Sequence, residues 1–173
     1  QIAKVKATIK STEKTKKITR AMELVAASKL GKTQQRMAKG RPYADKMLEV
    51  IRHVAQSQSE YHHPYLQDRP LQRVGCIIVS SDRGLCGGLN ANLFKATLNH
   101  FKQWMDDGVE VDLCLIGSKA AQFFNRLDHS ILGHANHLGD TPSVQDIIGV
   151  VKVMLDAYAN QNVSHVFVAY NRY

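Results

Sequence analysis

Residues 1–56, QIAKVKATIKSTEKTKKITRAMELVAASKLGKTQQRMAKGRPYADKMLEVIRHVAQ, decide how the rest of the chain is read. The only proline in this stretch is Pro42, and its only glycines are Gly31 and Gly40. With so few breakers the stretch reads as one uninterrupted helix, which at 1.5 Å per residue would run roughly 80 Å. Counting in sevens from Ile2 gives Ile2, Ile9, Lys16, Glu23, Leu30, Met37, Ala44 and Ile51. Three residues on from each lie Val5, Thr12, Thr19, Ala26, Thr33, Gly40, Met47 and Val54. Six of eight are apolar in the first row and four of eight in the second, so the apolar seam is narrow. In the middle it changes side, because Ile18, Met22 and Val25 carry it past Lys16 and Glu23. A helix of this length with one shifting stripe cannot bury itself. It needs a partner helix, and no second stretch of this length is present in the sequence.

The remaining surface of the helix is basic. Residues 1–56 hold fourteen Lys or Arg against four Asp or Glu, a net of +10, while the rest of the 173-residue chain carries −2. The plain reading is a solvated face kept soluble by lysine. An asymmetry this strong favours an acidic partner surface instead, whether protein, nucleic acid or lipid.

The sequence divides into a basic coiled-coil helix over 1–57, a linker over 58–73 and an α/β domain over 74–173. The linker holds Tyr61, His62, His63, Pro64, Tyr65, Asp68, Arg69 and Pro70, and its prolines close it to helix. Beyond it, a continuous apolar run at 74–79 reads as a strand, as do 109–116, where Val109, Val111, Leu113 and Leu115 alternate, and 163–170, with a short one at Ile131 and Leu132. Helical spacing predicts helices over 89–105 and from Ser118 to about Leu127. A third opens at Thr141, Pro142 and Ser143, with Pro142 at its first position. Strands alternating with helices predict a mainly parallel, Rossmann-like sheet covered on both faces. No stretch approaches a membrane span in length and apolarity, and no signal-peptide pattern precedes the helix. The three cysteines (Cys76, Cys86, Cys114) fit no metal motif and favour reduced thiols. The chain begins at Gln1 without methionine and stops at Tyr173 near an apolar strand, so a fragment is expected.

Residues 80–90 form a glycine-rich turn between strand and helix, where α/β folds place phosphate sites. The spacing is neither G-x-G-x-x-G nor G-x-x-x-x-G-K-[ST], no lysine follows, and no acidic residue stands where a ribose would need it. Cys86 lies near a helix N-terminus but has no adjacent base. His129, His134 and His137 have no carboxylate or cysteine at ligand spacing, and His62 and His63 lack a nearby third ligand. No catalytic residue, cofactor site or metal site is expected.

Two blocks go beyond periodicity. Lys17-Ile18-Thr19-Arg20-Ala21-Met22-Glu23-Leu24-Val25-Ala26-Ala27-Ser28-Lys29 and Ser81-Asp82-Arg83-Gly84-Leu85-Cys86-Gly87-Gly88-Leu89-Asn90 closely resemble the gamma subunit of the F-type ATP synthase, bacterial type. The likeness extends to Ile116-Gly117-Ser118-Lys119 and Tyr170-Asn171-Arg172. It implies a non-catalytic central-stalk rotor that couples proton flow to ATP synthesis inside a ring of alpha and beta subunits. The epsilon subunit and the c-ring of Fo are the further partners it implies, at the cytoplasmic face of the inner membrane, with peripheral association. It implies too that the long helix pairs with a C-terminal helix absent from this sequence, along a seam of Ile2, Val5, Ile9, Ile18, Met22, Val25, Leu30 and Met37. By motif match Met22 faces an acidic loop of the beta subunit, and Lys29, Arg83 and Cys86 lie near the same contact. The competing reading is a basic-helix nucleic-acid-binding protein. Against it, arginine does not dominate, and the apolar seam runs through the basic region instead of following it.

Overall fold

The computed structural model describes residues 1–56 and 63–172. The expected helix end within 56–60, and Tyr61 and His62 of the linker, therefore fall largely outside the described residues. The chain divides into two compact units, Gln1–Glu60 and Tyr61–Tyr173.

The first unit is a single helix, α1 (Ile2–Gln56), of 55 residues with none buried. It runs through Pro42, which offers no N–H to the carbonyl four residues back. Hydroxyls at Thr8, Thr12, Thr15, Thr19 and Thr33 each donate to the carbonyl one turn earlier. Such back-bonding satisfies the side chain and adds nothing to helix stability. The ion pairs Arg20–Glu23 and Lys46–Glu49 lie in open solvent, where a pair contributes ~0–1 kcal/mol. Among the described residues of this unit none is buried, so the seam stays open along α1.

The second unit is a four-stranded, wholly parallel sheet. In chain order it comprises β1 (Arg73–Val79), α2 (Leu89–Asp106), β2 (Glu110–Ile116), α3 (Ser118–Phe124), β3 (Ser130–Ala135), α4 (Val144–Ala159) and β4 (His165–Ala169). The strand order is β3-β2-β1-β4. Alternation along the strands splits the core in two. Val74, Cys76, Ile78, Leu113 and Leu115 meet Leu93, Phe94 and Phe101 of α2 and Phe124 of α3. Ile77, Cys114 and Ile116 meet Val150, Met154 and Ala157 of α4 on the other face. This is the three-layer α/β arrangement that the alternating pattern predicts. At Gly75 the backbone of β1 lies against the Met154 thioether of α4, which a Cβ there would displace.

Several local expectations are corrected. The short strand at Ile131 and Leu132 is a full six-residue strand, pairing with β2 through an irregularity at Leu113 and Cys114. Helix α3 ends at Phe124, three residues short of Leu127, and its cap is Gly117, not Ser118. Gly117 adopts φ +95, and a Cβ there would lie 2.3 Å from Ser80 O, so only glycine fits the crossing of these two chain segments. Helix α4 is capped by Ser143, which exchanges hydrogen bonds with Asp146, so Pro142 precedes the cap instead of starting the helix. The last strand covers only His165–Ala169 of the expected 163–170. Within the second unit, ahead of the sheet, Pro64–Leu66 forms a short 3-10 turn, and β1 begins one residue earlier than expected.

Candidate functional site

Two surfaces carry the residues singled out by sequence, one in each unit. On α1 all eight seam residues are exposed, from Met37 at 38% to Ile2 at 76%. Met22, at 49%, stands seven residues before Lys29, so the two share one side of the helix two turns apart. Lys29 is exposed, and its carbonyl accepts the Thr33 hydroxyl.

Arg83 and Cys86 belong to the second unit, on the loop that leaves β1 and enters α2. This loop is closed from within. Asn90, in the first turn of α2 and buried, accepts the Ser81 N–H at 3.2 Å and donates to Ser81 Oγ at 2.7 Å and to Cys86 Sγ at 3.4 Å. Ser81 Oγ in turn donates to Arg83 O at 2.6 Å. The clamp turns Leu85 outward at φ +60 and 91% exposed, beside the exposed Cys86. A leucine in the left-handed region is a local backbone strain. Arg83 reaches Asp140 at 3.8 Å across the surface, a screened pair.

Asp82 is the anchor of the loop. One carboxylate oxygen accepts from Ser118 N and Ser118 Oγ, both at 2.8 Å, and from His137 N at 3.1 Å. The other accepts from Gly139 N at 3.3 Å. Partial burial opposes the charge, but donation from the Ser118 hydroxyl and from the N–H groups of Ser118, Leu138 and His137 outweighs it and holds the carboxyl at about 2. The loop after β1 is thereby tied to the start of α3 and to the β3–α4 connection. At the start of α3 the first backbone N–H and the Ser118 hydroxyl are thus satisfied by the Asp82 carboxylate.

Asp82 and Asn90 are among the residues that sequence reasoning quoted without assigning a role. Their signal was present: an Asp at a strand exit and an Asn in the first turn of a helix are residues that bond backbone groups in turns. The partners, 36 to 57 residues away for Asp82, were not in the local pattern. Among the described residues no group of His, Cys, Asp or Glu is placed to hold a metal ion. No described helix is long and apolar enough to cross a membrane.

Comparison with known proteins bears on the same blocks. The ATP synthase family model matches residues 1–173. An ATP synthase gamma chain of Legionella pneumophila (strain Corby) is 52% identical over 169 residues, covering 98% of this chain and 59% of the relative. The corresponding chain of Nitrosococcus oceani is 56% identical over 169 residues, covering 98% and 58%. That of Coxiella burnetii (strain Dugway 5J108-111) is 55% identical over 170 residues, covering 98% and 59%. This chain thus spans somewhat under three-fifths of the length of these relatives. A match along its whole length, with a long basic helix and a parallel α/β unit behind it, places the chain in the gamma-chain family of the ATP synthase.

Proposed function

We propose that this chain is part of the central-stalk rotor of an F-type ATP synthase, transmitting rotation between a proton-driven membrane rotor and a catalytic ring of alpha and beta subunits. The observation that carries the reading is α1 itself: 55 residues of helix with an apolar seam, no buried residue and a net charge of +10 in residues 1–56. A folded protein leaves such a seam in water only where a partner covers it, and here the seam suits another helix. Around it the basic surface suits an acidic ring. Exposed pairs each contribute only ~0–1 kcal/mol and are screened beyond about 8 Å in physiological salt, so contact is favoured at every angle and locked at none.

In this reading the chain has no active site and binds no cofactor. Met22 and Lys29 of α1, with Arg83 and Cys86 of the α/β unit, meet the beta subunit. The epsilon subunit and the c-ring of Fo engage the assembly on its membrane side, at the cytoplasmic face of the bacterial inner membrane, and the association is peripheral. Nucleic acid is not a partner.

The test is ATP-driven proton pumping in inverted membrane vesicles, with the full subunit carrying this segment in the assembled complex. Removal of the subunit is expected to abolish pumping, and its return to restore it. Pumping that persists without it refutes the rotor role. Retention of the purified chain on duplex DNA at physiological salt, with no affinity for alpha and beta subunits, would favour the nucleic-acid reading.

A further inference from the structure

The α/β unit carries a second surface, a groove of about 590 Å³ between α2 and α3 that borders the loop of Arg83 and Cys86 at Asn90. Its floor is aromatic and aliphatic: Phe94, Leu98 and Phe123, with the rings of Phe94 and Phe123 stacked at 4.9 Å. Phe123 is 37% exposed although Phe124 beside it is fully buried, so the sequence spends a large apolar side chain on the surface here. The rim is basic on both walls, with Lys95 from α2 and Lys119 and Arg126 from α3 and the turn that follows. Lys119 donates to Gln122 Oε1 at 3.1 Å. Among the described residues none of the three cations is in an ion pair, and no carboxylate lines the groove. The net charge of −2 over residues 57–173 makes a rim of one sign a local feature, not a reflection of the whole unit.

We propose that this groove is a docking site for an acidic amphipathic helix of a partner protein, which lays one large apolar side chain over Phe94 and Phe123 and sets carboxylates against Lys95 on one wall and Lys119 and Arg126 on the other. Charge complementarity selects this occupant. A helix offers an apolar stripe flanked on both sides by polar positions, which matches an apolar trough between two basic walls. A fatty acyl chain fits less well. It has a single anionic end for a rim charged on both sides, and in a trough bordered by exposed Lys95 and Arg126 its length stays wet.

The experiment uses the full chain, isotope-labelled, titrated with a synthetic helical peptide of about 20 residues bearing Leu and Phe on one stripe and Glu on both flanks. Amide shifts are expected to concentrate on Lys95, Leu98, Lys119 and Arg126, and Lys95→Glu with Arg126→Glu is expected to weaken binding by about tenfold or more. Both positions are exposed, so the variant folds as the parent does. Phe123→Ala is expected to lose affinity with the rim intact, and the Gln-for-Glu peptide to bind weakly. The proposal is overturned if the shifts fall on α1 with the groove unmoved, if charge reversal leaves affinity unchanged, or if phosphatidylglycerol vesicles engage the groove and the peptide does not.

Discussion

Replacing Asp82 with asparagine tests whether the loop after β1 is held by one carboxylate. In the native chain that carboxylate collects four donated hydrogen bonds, from Ser118 N, Ser118 Oγ, His137 N and Gly139 N. Asparagine keeps one acceptor oxygen but turns an NH2 group toward backbone donors, so at least one N–H loses its partner. Holding the carboxyl at about 2 in place of the usual 3.8 corresponds to ~2.5 kcal/mol at most at neutral pH. The group is only half-buried, and solvent screening brings this to ~1–2 kcal/mol. Because the folded value is depressed, this stability is fully present above the unfolded value of 3.8 and is lost as pH falls through about 2. The assay is urea unfolding followed by Trp104, the single tryptophan, which packs against the α2 side of the core. At pH 7, Asp82→Asn is expected to lower the midpoint by roughly 0.5–1 M, and at pH 3 the gap is expected to narrow. An equal gap at both pH values, or none at pH 7, refutes the charge-assisted anchor.

Other perturbations follow from single contacts. Gly117→Ala is expected to cost ~3 kcal/mol or more, since both its φ of +95 and the Ser80 carbonyl at 2.3 Å forbid a Cβ. Gly75→Ala, which meets only the flexible Met154 thioether, is expected to cost ~1–3 kcal/mol, and the comparison is read by thermal melting. With a thiol reagent at pH 8, the native chain is expected to react at Cys86 alone. Burial pushes Cys76 up to about 12, and burial with the nearby Asp112 charge pushes Cys114 up to about 11, so all three thiols should titrate only in urea. Met22→Lys in the assembled enzyme is expected to lower protons pumped per ATP hydrolysed, by adding an ion pair of up to a few kcal/mol to one angular position. Unchanged pumping at low ionic strength removes Met22 from the contact. In the isolated chain, α1 is expected to exchange its amides far faster than the strands, and equal protection in a monomer contradicts this.

Elements whose cause is local were legible in the residues. Helix α1 follows from 56 residues with one proline and two glycines, and its lack of a core follows from a seam too narrow and too shifting to bury. The strand β1 announces itself as a continuous apolar run because a parallel strand covered on both faces needs no polar alternation, and β2 by the alternation of Val109, Val111, Leu113 and Leu115. Where two distant segments meet, local pattern was silent. Ser118 has the composition of a cap, yet Gly117 takes that place because Ser80 crosses beside it. Asp82 reads as a turn residue, and only the arrival of α3 and the β3–α4 connection at one strand end makes it an anchor. The basic groove is likewise invisible in sequence, since Lys95 and Arg126 share a rim only because α2 and α3 lie on the same face of the sheet. Periodicity reports which side of an element is buried; which residues face one another across elements is set by the order and handedness of the strands, and that is a property of the folded chain.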